Sequence, residues 1–590
     1  MPPRRHDSPR DVADRRASKL RAIALTCFAC TLVRLPCAAQ ATTREDVDPR
    51  GLQANGDAHG PAVSDDGRYF VFSSDASNLV AGDANGASDI FLRDRATGGT
   101  LRVSVATGGG EAHGASTLPS LSADGRIIGF SSAASDLVAL DANGVPDAFV
   151  HDAASGVTTR ISVAPNGADA DARSTGVFVS ASGRWVGFSS RASNLIAAGD
   201  SNGVDDAYLR DLVLGTTVRV SVASSGVEGD GASLHAGLSD DGRFAVFQSL
   251  ATNLVPLDTN GVEDAFVRDL VLGTTARVSV GSSFVEADAR SFRPRISGDG
   301  RWITFLSAAT NLVPSDTNGV DDAFLHELAT GALVRVSVGS NGEQANAASL
   351  RCAVSRDGRF VAFDGPASTL VQDDVDGASD VFVRDLATST TSLASVGWGG
   401  DPSLASGENP EFSGDARFLA FQSAPGLDGV VLGDDNGFVD AFVVDRALAF
   451  AAPTRYCTAK ANSLGCVPRI AHSGAPLLGG ADEFFVTATG VLSNKSGLFF
   501  FGASSASLPF GGGTLCVQPP LVRTNVANSL GGVTLDCSGS YSFHFTQMYA
   551  VAHGVAAGTT LHGQFWSRDP GFSPPQNVGL TDALRFTFAP

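Results

Sequence analysis

No stretch of this 590-residue chain approaches the roughly 20 consecutive apolar residues needed to span a bilayer. Basic residues are scarce: 42 Lys and Arg stand against 62 Asp and Glu, a formal charge of −20. That sign is wrong for sequence-independent binding to nucleic acid. Other catalytic signatures are missing as well, with no H-E-x-x-H helix and no P-loop. Aromatic residues make up only 8% of the chain. It is nevertheless too apolar, at 43%, for a disordered polyelectrolyte.

What is present begins with a segment that reads as an export signal. Seven basic side chains lie within residues 1–21, an apolar stretch runs from Ala22 to Val33, and small residues follow at Ala38, Ala39 and Ala41. Basic n-region, short h-region and A-x-A cleavage site come in the order of a secretory leader. Residues 1–41 are therefore expected to be removed, leaving a charge of −25 and an exported protein, periplasmic, at the cell surface or extracellular. Cys27, Cys30 and Cys37 would leave with the leader. Cys352 stands alone, as a small buried residue rather than a reactive thiol. Cys457, Cys466, Cys516 and Cys537 cluster near the C-terminus, where an even set in an exported chain favours disulfides. The expected pairing is 457–466 with 516–537.

The dominant feature is an internal repeat. A turn of the form S-x-D-G-R recurs at Ser64–Arg68, Ser122–Arg126, Ser180–Arg184, Ser239–Arg243, Ser297–Arg301, Ser355–Arg359 and Ser413–Arg417. Its arginines are spaced 58, 58, 59, 58, 58 and 58 residues apart. Each copy reads as four short strands: A before the turn (Pro61–Ser64), B after it (Tyr69–Ser73), C (Ile90–Arg93) and D, the T-x-R-V-S-V segment (Thr217–Val222). Seven four-stranded units at fixed period predict an all-β, seven-bladed β-propeller over residues 42–453. The seventh copy lacks a strand D, whereas Thr42-Thr43-Arg44-Glu45-Asp46-Val47 is a degraded version of one. The N-terminal segment is thus expected to complete the last blade and remove an exposed edge.

The pattern P-x-x-S-x-D-G-R-x-x-x-F-x-S followed by D-x-F-x-x-D resembles the TolB-type propeller repeat, a relative of WD-like repeats, over about residues 42–450. The resemblance implies the propeller fold. The chain departs from TolB proteins in having seven copies and no preceding α/β domain.

Most repeated residues have structural explanations. Arg68, Arg126, Arg184, Arg243, Arg301, Arg359 and Arg417 open strand B. Asp94, Asp152, Asp211, Asp269, Glu327, Asp385 and Asp445 close strand C beside them, and seven cross-strand ion pairs are expected. The B–C and D–A loops are long and share one face, where binding is expected. Each B–C loop carries D-x-[N/D]-G-x-x-D: Asp83/Asn85/Asp89, Asp141/Asn143/Asp147, Asp200/Asn202/Asp206, Asp258/Asn260/Asp264, Asp316/Asn318/Asp322, Asp374/Asp376/Asp380 and Asp434/Asn436/Asp440. Alternating oxygen ligands around a Gly suit Ca²⁺, but the first ligand position of a calcium loop is filled by Ala, Pro, Gln or Leu. An Asx-type turn is the favoured reading, with Ca²⁺ as its alternative. The D–A loops add Glu111, Glu228, Glu286, Glu343, His59, His113 and His235 as candidate ligand-binding residues.

Residues 454–590 form a second region, read as a small disulfide-braced β-sandwich like those that end many exported bacterial proteins. The leading expectation is an exported, non-enzymatic binding or scaffold protein whose acidic loop face recognises a protein or glycan at the envelope or outside the cell, without nucleic acid. The alternatives are a calcium-stabilised adhesion module and a channel-centred hydrolase or lyase, the latter favoured by a channel-facing His among carboxylates from unrelated blades.

Overall fold

The structure, a computed structural model, describes residues 41–588 apart from 372–373, 375–376, 397–405, 424–429, 432–435, 447–453, 474–475, 477–483, 533–535 and 556–558. The expected leader lies outside this range except for Ala41, and so do Asp376 and Asp434. No helix among the described residues is long and apolar enough to cross a membrane.

Seven four-stranded antiparallel sheets follow one another along the chain. Blade 1 consists of Ala58–Val63, Tyr69–Ser74, Asp89–Asp94 and Gly99–Arg102, strands A to D in order. Strand A of each blade touches strand A of the next around a complete circle, so these first strands surround an axis. Blade 7 takes its fourth strand from the start of the chain: Ala41–Arg44 pairs antiparallel with Ala441–Asp445, Ala41 opposite Asp445 and Arg44 opposite Phe442. The ring is therefore closed by non-consecutive strands, as the degraded T-T-R motif predicts.

Alternation dictates the core. In every blade the middle residues of strands B and C face each other as an aromatic pair, from Phe72–Phe91 to Phe421–Phe442, including Phe188–Tyr208. Their centroids lie 5.5–5.8 Å apart. Offset contact between such rings adds about 0.5–1.5 kcal/mol to their area burial. Two strand limits differ from expectation. Strand A begins at Ala58 rather than Pro61, because a bulge between His59 and Ala62 places Gly60 at φ +59° and takes up the proline, which has no N–H for the ladder. Strand D of blade 3 ends at Arg219 rather than Val222, because Ser221 leaves the ladder and donates its hydroxyl to Asp206 at 2.6 Å.

The expected ion pairs form in all seven blades. Arg68–Asp94, Arg126–Asp152, Arg184–Asp211, Arg243–Asp269, Arg359–Asp385 and Arg417–Asp445 are 2.6–2.8 Å apart, and Arg301 pairs with Glu327.

The C-terminal region packs a sheet containing Thr454–Tyr456, Val578–Thr587, Thr560–Arg568 and Ser496–Gly502 against a three-stranded sheet of Arg469–Ser473, Phe485–Val491 and Gly539–His544. Phe499, Phe501, Phe545, Phe565, Phe586 and Ile470 fill the space between them. The disulfides are Cys457–Cys516 and Cys466–Cys537, which corrects the pairing of sequence neighbours. The reason is local. Asn462 to Cys466 forms a closed turn that carries the second cysteine away from the first. The strand holding Cys457 is instead tied to the one holding Cys516 by Tyr456 Oη donating to Cys516 O at 2.7 Å.

The closure has a chemical signature of its own. Where blades 1 to 6 place a strand-D serine against the first aspartate of strand C, as in Ser104–Asp89 at 2.5 Å, the closing strand offers Asp46 to Asp440. Both are buried. Burial first, then the bond and charge of Asp440, hold the Asp46 carboxyl well above the usual carboxylate range. The shared proton must be lost as pH rises through that raised value, and the stability it provides is then lost with it. Asp46→Ser, which installs the residue of the other blades, is expected to raise Tm at neutral and alkaline pH, with the gain fading in acid. Equal Tm profiles of both proteins across pH would refute this.

Candidate functional site

The loop-rich face keeps an excess of carboxylates, but in blades 1 to 5 an arginine ties them together. The arginine of T-x-R-V-S-V reaches back from strand D into the B–C loop of its own blade. Arg102 lies 3.3 Å from Asp83, 3.2 Å from Asp89 and 2.7 Å from Glu111. Arg160 meets Asp141, Asp147 and Asp169; Arg219 meets Asp200, Asp206 and Glu228; Arg277 meets Asp258, Asp264 and Glu286. Arg335 meets Asp316 and Asp322. The carboxylates of Asp83, Asp89 and Glu111, and those of Asp200, Asp206 and Glu228, are close enough to share a cation, and a guanidinium holds each group. In blade 6 the register puts Leu393 opposite Phe382, the place Arg102 takes opposite Phe91.

In blade 6 the motif aspartate Asp380 is placed as in blades 1 to 5. Asp380 is the first residue of strand C, opposite Gly365, and is fully buried. Its Oδ1 accepts from the strand-D Ser395 hydroxyl at 2.7 Å, as Asp89 accepts from Ser104 and Asp206 from Ser221. The start of the strand turns this carboxylate inward to the serine of its own sheet. Asp380 does not join Asp374 in a cluster able to hold a metal among the described residues, and Asp376 lies outside them.

The loop asparagine fixes the turn. Asn85 Oδ1 accepts from Ala87 N at 2.9 Å, and its Nδ2 donates to Asp89 at 2.8 Å. Asn143, Asn202, Asn260, Asn318 and Asn436 repeat both contacts. Burial pushes Asp206 and Asp258 up to about 6 despite their arginines. Glu343 makes no such contact with a guanidinium among the described residues; it accepts from Asn341 at 3.2 Å. His113 pairs with Asp136 on the surface, and that bond raises its pKa. His59 stands in strand A of blade 1, its Nδ1 3.5 Å from Gln422 Nε2, and His235 lies in strand A of blade 4. The structure thus does not bring the seven candidate ligand-binding residues together in one cluster, although Glu111 and His113 share a loop.

It gathers instead a set of residues on the axis that sequence reading passed over. Strand A positions three and five are Gly60 and Ala62, Leu118 and Ser120, Gly176 and Phe178, and His235 and Gly237 in blades 1 to 4. In blades 5 to 7 they become Arg293 and Arg295, Arg351 and Ala353, and Asn409 and Glu411. The Arg295 guanidinium lies 4.6 Å from the ring centre of Phe178, two blades away, and its charge acts on Glu411, two blades away in the other direction. Blades 3, 5 and 7 can meet only on the axis. Arg295 Nη1 is buried without a hydrogen bond. Arg351 Nη1 lies 3.2 Å from Asp364 and 3.5 Å from Glu408. Asp364 also accepts from Asn409 N at 3.0 Å and keeps a second buried oxygen without a partner. Burial pushes the carboxyls of Glu411 and Asp364 up. Arg293 is shifted down by burial and by the charges of Arg351 and Arg295, so three guanidiniums share one space. Cys352, buried nearby, has its thiol pushed up to about 11, which leaves it unreactive. The signal available in the sequence was S-F-R-P-R-I and G-E-N-P-E-F, charged where the other copies are small or apolar.

No protein-family model and no curated protein matches the chain. Among solved structures it is similar to an oligogalacturonate lyase from Vibrio parahaemolyticus, at 12% identity and a TM-score of 0.42 over 69% of this chain and 97% of that one. A putative TolB from Agrobacterium tumefaciens aligns at 16% identity and 0.33, covering 58% and 93%. An acylaminoacyl peptidase from Pyrococcus horikoshii aligns at 10% and 0.38, covering 73% and 57%. These likenesses concern the fold.

The expectation of a non-enzymatic scaffold binding through an acidic face is corrected on two counts. The loop acids it rested on are bound by strand-D arginines. A fold by itself gives no ground for excluding catalysis.

The arginine knots make a stability prediction. Arg219→Leu leaves Asp200 and Asp206 buried against each other without a counter-ion, which costs about 3–5 kcal/mol. Arg184→Leu removes a guanidinium that is 42% exposed and is expected to cost about 0–1 kcal/mol. Chemical unfolding of both variants tests the contrast, which should shrink in acid as the stranded carboxyls take up protons.

Proposed function

We propose that this is an exported, channel-centred acid–base enzyme of the hydrolase or lyase type, with Glu411 and Arg295 at its reaction centre. The observation that carries the reading is the meeting of Phe178, Arg295 and Glu411 on the axis, where Arg295 keeps a buried donor without a partner. Burial raises the Glu411 carboxyl, the direction in which general acid–base catalysts are tuned. A fixed guanidinium beside it stabilises negative charge that develops on the substrate. Asp364 supplies a second carboxyl from a neighbouring strand, its partnerless oxygen available to a substrate hydroxyl or a water. The two disulfides of the C-terminal region fit a chain that works in an oxidising compartment.

The test is turnover by the full chain on a panel of polysaccharides and peptides. New ends alone mark a hydrolase; new ends together with a conjugated double bond mark a lyase. Glu411→Gln is expected to lower kcat by about 10²–10⁴ with an unchanged fold. A variant as active as the parent on every substrate cleaved would sink the assignment.

A further inference from the structure

The same axis shows which way a ligand enters and what it must carry. Strand A runs from the loop-rich face towards the S-x-D-G-R turns. The second residues of those turns converge at the far end. There Arg356 of blade 6 spans the mouth, with Nη1 2.6 Å from Asp65 of blade 1 and Nε 2.6 Å from Asp240 of blade 4. Backbone bonds link neighbouring turns: Asp65 N to Ala123 O, Ala123 N to Ala181 O, and Asp240 N to Gly298 O, at 2.9–3.0 Å. A methyl group on Gly298 or Gly414 would overlap Asp240 or Asp65, so nothing wider fits between them. The channel is blind at this end.

Towards the open end stand Arg293, Arg295 and Arg351. Among the described residues neither Arg293 nor Arg295 has a carboxylate within salt-bridge distance. Arg293 donates to the carbonyl of Leu350 at 3.1 Å, and Arg295 rests on the Phe178 ring. Arg293 is also held at φ +52°, where blades 1 and 3 use glycine. That left-handed conformation costs a non-glycine residue about 1–2 kcal/mol. Half-buried Arg293, and Arg295 with its buried unpartnered Nη1, lack a carboxylate at salt-bridge distance and stand beside Arg351, which has two; together they form a receptor for an anion entering from the loops.

We propose that the blind channel binds a substrate through an anionic group, a carboxylate or a phosphate, held by Arg293 and Arg295 and entering only from the loop-rich face. The inference rests on the enzyme reading for the word substrate, and its test is a binding measurement that stands without it.

Calorimetric titration of the full chain with D-glucuronate, glucose 6-phosphate and uncharged methyl glucoside separates the possibilities. The charged sugars are expected to bind and the neutral one not, with affinity falling as salt rises. The tighter of the two charged probes names the group. Arg295→Gln and Arg293→Gln should each weaken binding at least tenfold, Arg295→Lys should restore part of the loss, and Glu411→Gln, which removes a competing carboxylate, should bind the anions no more weakly than the parent does. Equal binding of the neutral sugar, no binding of either anion, or parental affinity in Arg295→Gln would each overturn the proposal. Anion binding with full turnover in Glu411→Gln would leave it standing and remove the enzyme reading. Turnover of neutral substrates without anion binding would do the reverse.

Discussion

The ring depends on a contact that recurs at five of its seven blade junctions, an aromatic ring at the start of strand B lying over the turn glycine of the following blade; Ile127 takes the place of the aromatic over Gly183, and Ala416 takes the place of the glycine in blade 7. Phe418 lies on Gly67, Tyr69 on Gly125, Trp185 on Gly242, Phe244 on Gly300 and Trp302 on Gly358. A β-carbon on any of these glycines would overlap the ring, and each also has φ between +70° and +72°. Two demands therefore select glycine at one position: left-handed backbone and no side chain. The arginine beside the aromatic covers its other side, 4.7 Å away for Arg184 over Trp185, and is held there by the aspartate of strand C. Turn, ring and ion pair form one stack, and it joins blades at a constant spacing. A constant spacing requires a constant repeat, which is why the period hardly drifts. Closure follows, because a ring built from one joint has no place for a loose edge, and Ala41–Arg44 completes it.

The same economy governs charge. A chain of net charge −20 suggests an acidic surface, but its loops bury their aspartates around guanidiniums supplied by the neighbouring strand D. In blades 1 to 5 this offsets the cost of desolvating the carboxylates within the blade. Electrostatic imbalance is left on the axis, where three strands from one side of the ring bring arginines and carboxyls that no sibling blade carries.

The architecture was legible because seven copies average away noise: the S-x-D-G-R turn, the cross-strand pairs and the displaced T-T-R strand can each be read from register alone. Averaging also explains what was missed. Arg102 and its counterparts were read as strand residues, since nothing in linear order links a strand-D arginine to a loop some twenty residues before it. Asp380 and its counterparts were read with the loop, although each opens strand C and faces a serine some fifteen residues further on. Arg293, Arg295, Arg351 and Glu411 break the pattern, and a search for what repeats passes over what does not. The cysteines failed for a different reason. Nearness in sequence favours 457 with 466, but the turn closed by Asn462 separates them, and the sandwich brings Cys516 and Cys537 to them from distant strands.

The axial departures are costly, and that cost bears on their meaning. Ala62, Ser120 and Gly237 show that small residues suffice to line the first strands of a stable blade, and Gly60 and Gly176 show that the bulge needs no side chain. Replacing them with arginines in blade 5 buries positive charge and places a non-glycine residue in a left-handed conformation. Arg293 gains one bond to the Leu350 carbonyl of the next blade, but Arg295 reaches a ring across the channel, and one of its donors is left without a partner. A buried donor of this kind costs about 1–3 kcal/mol while it stays empty and returns that energy when an acceptor arrives. Groups that destabilise the empty protein and converge on a space open at one end are arranged for something that enters it. The ring tolerates them because its stability is made elsewhere, in seven aromatic pairs and the joints between blades.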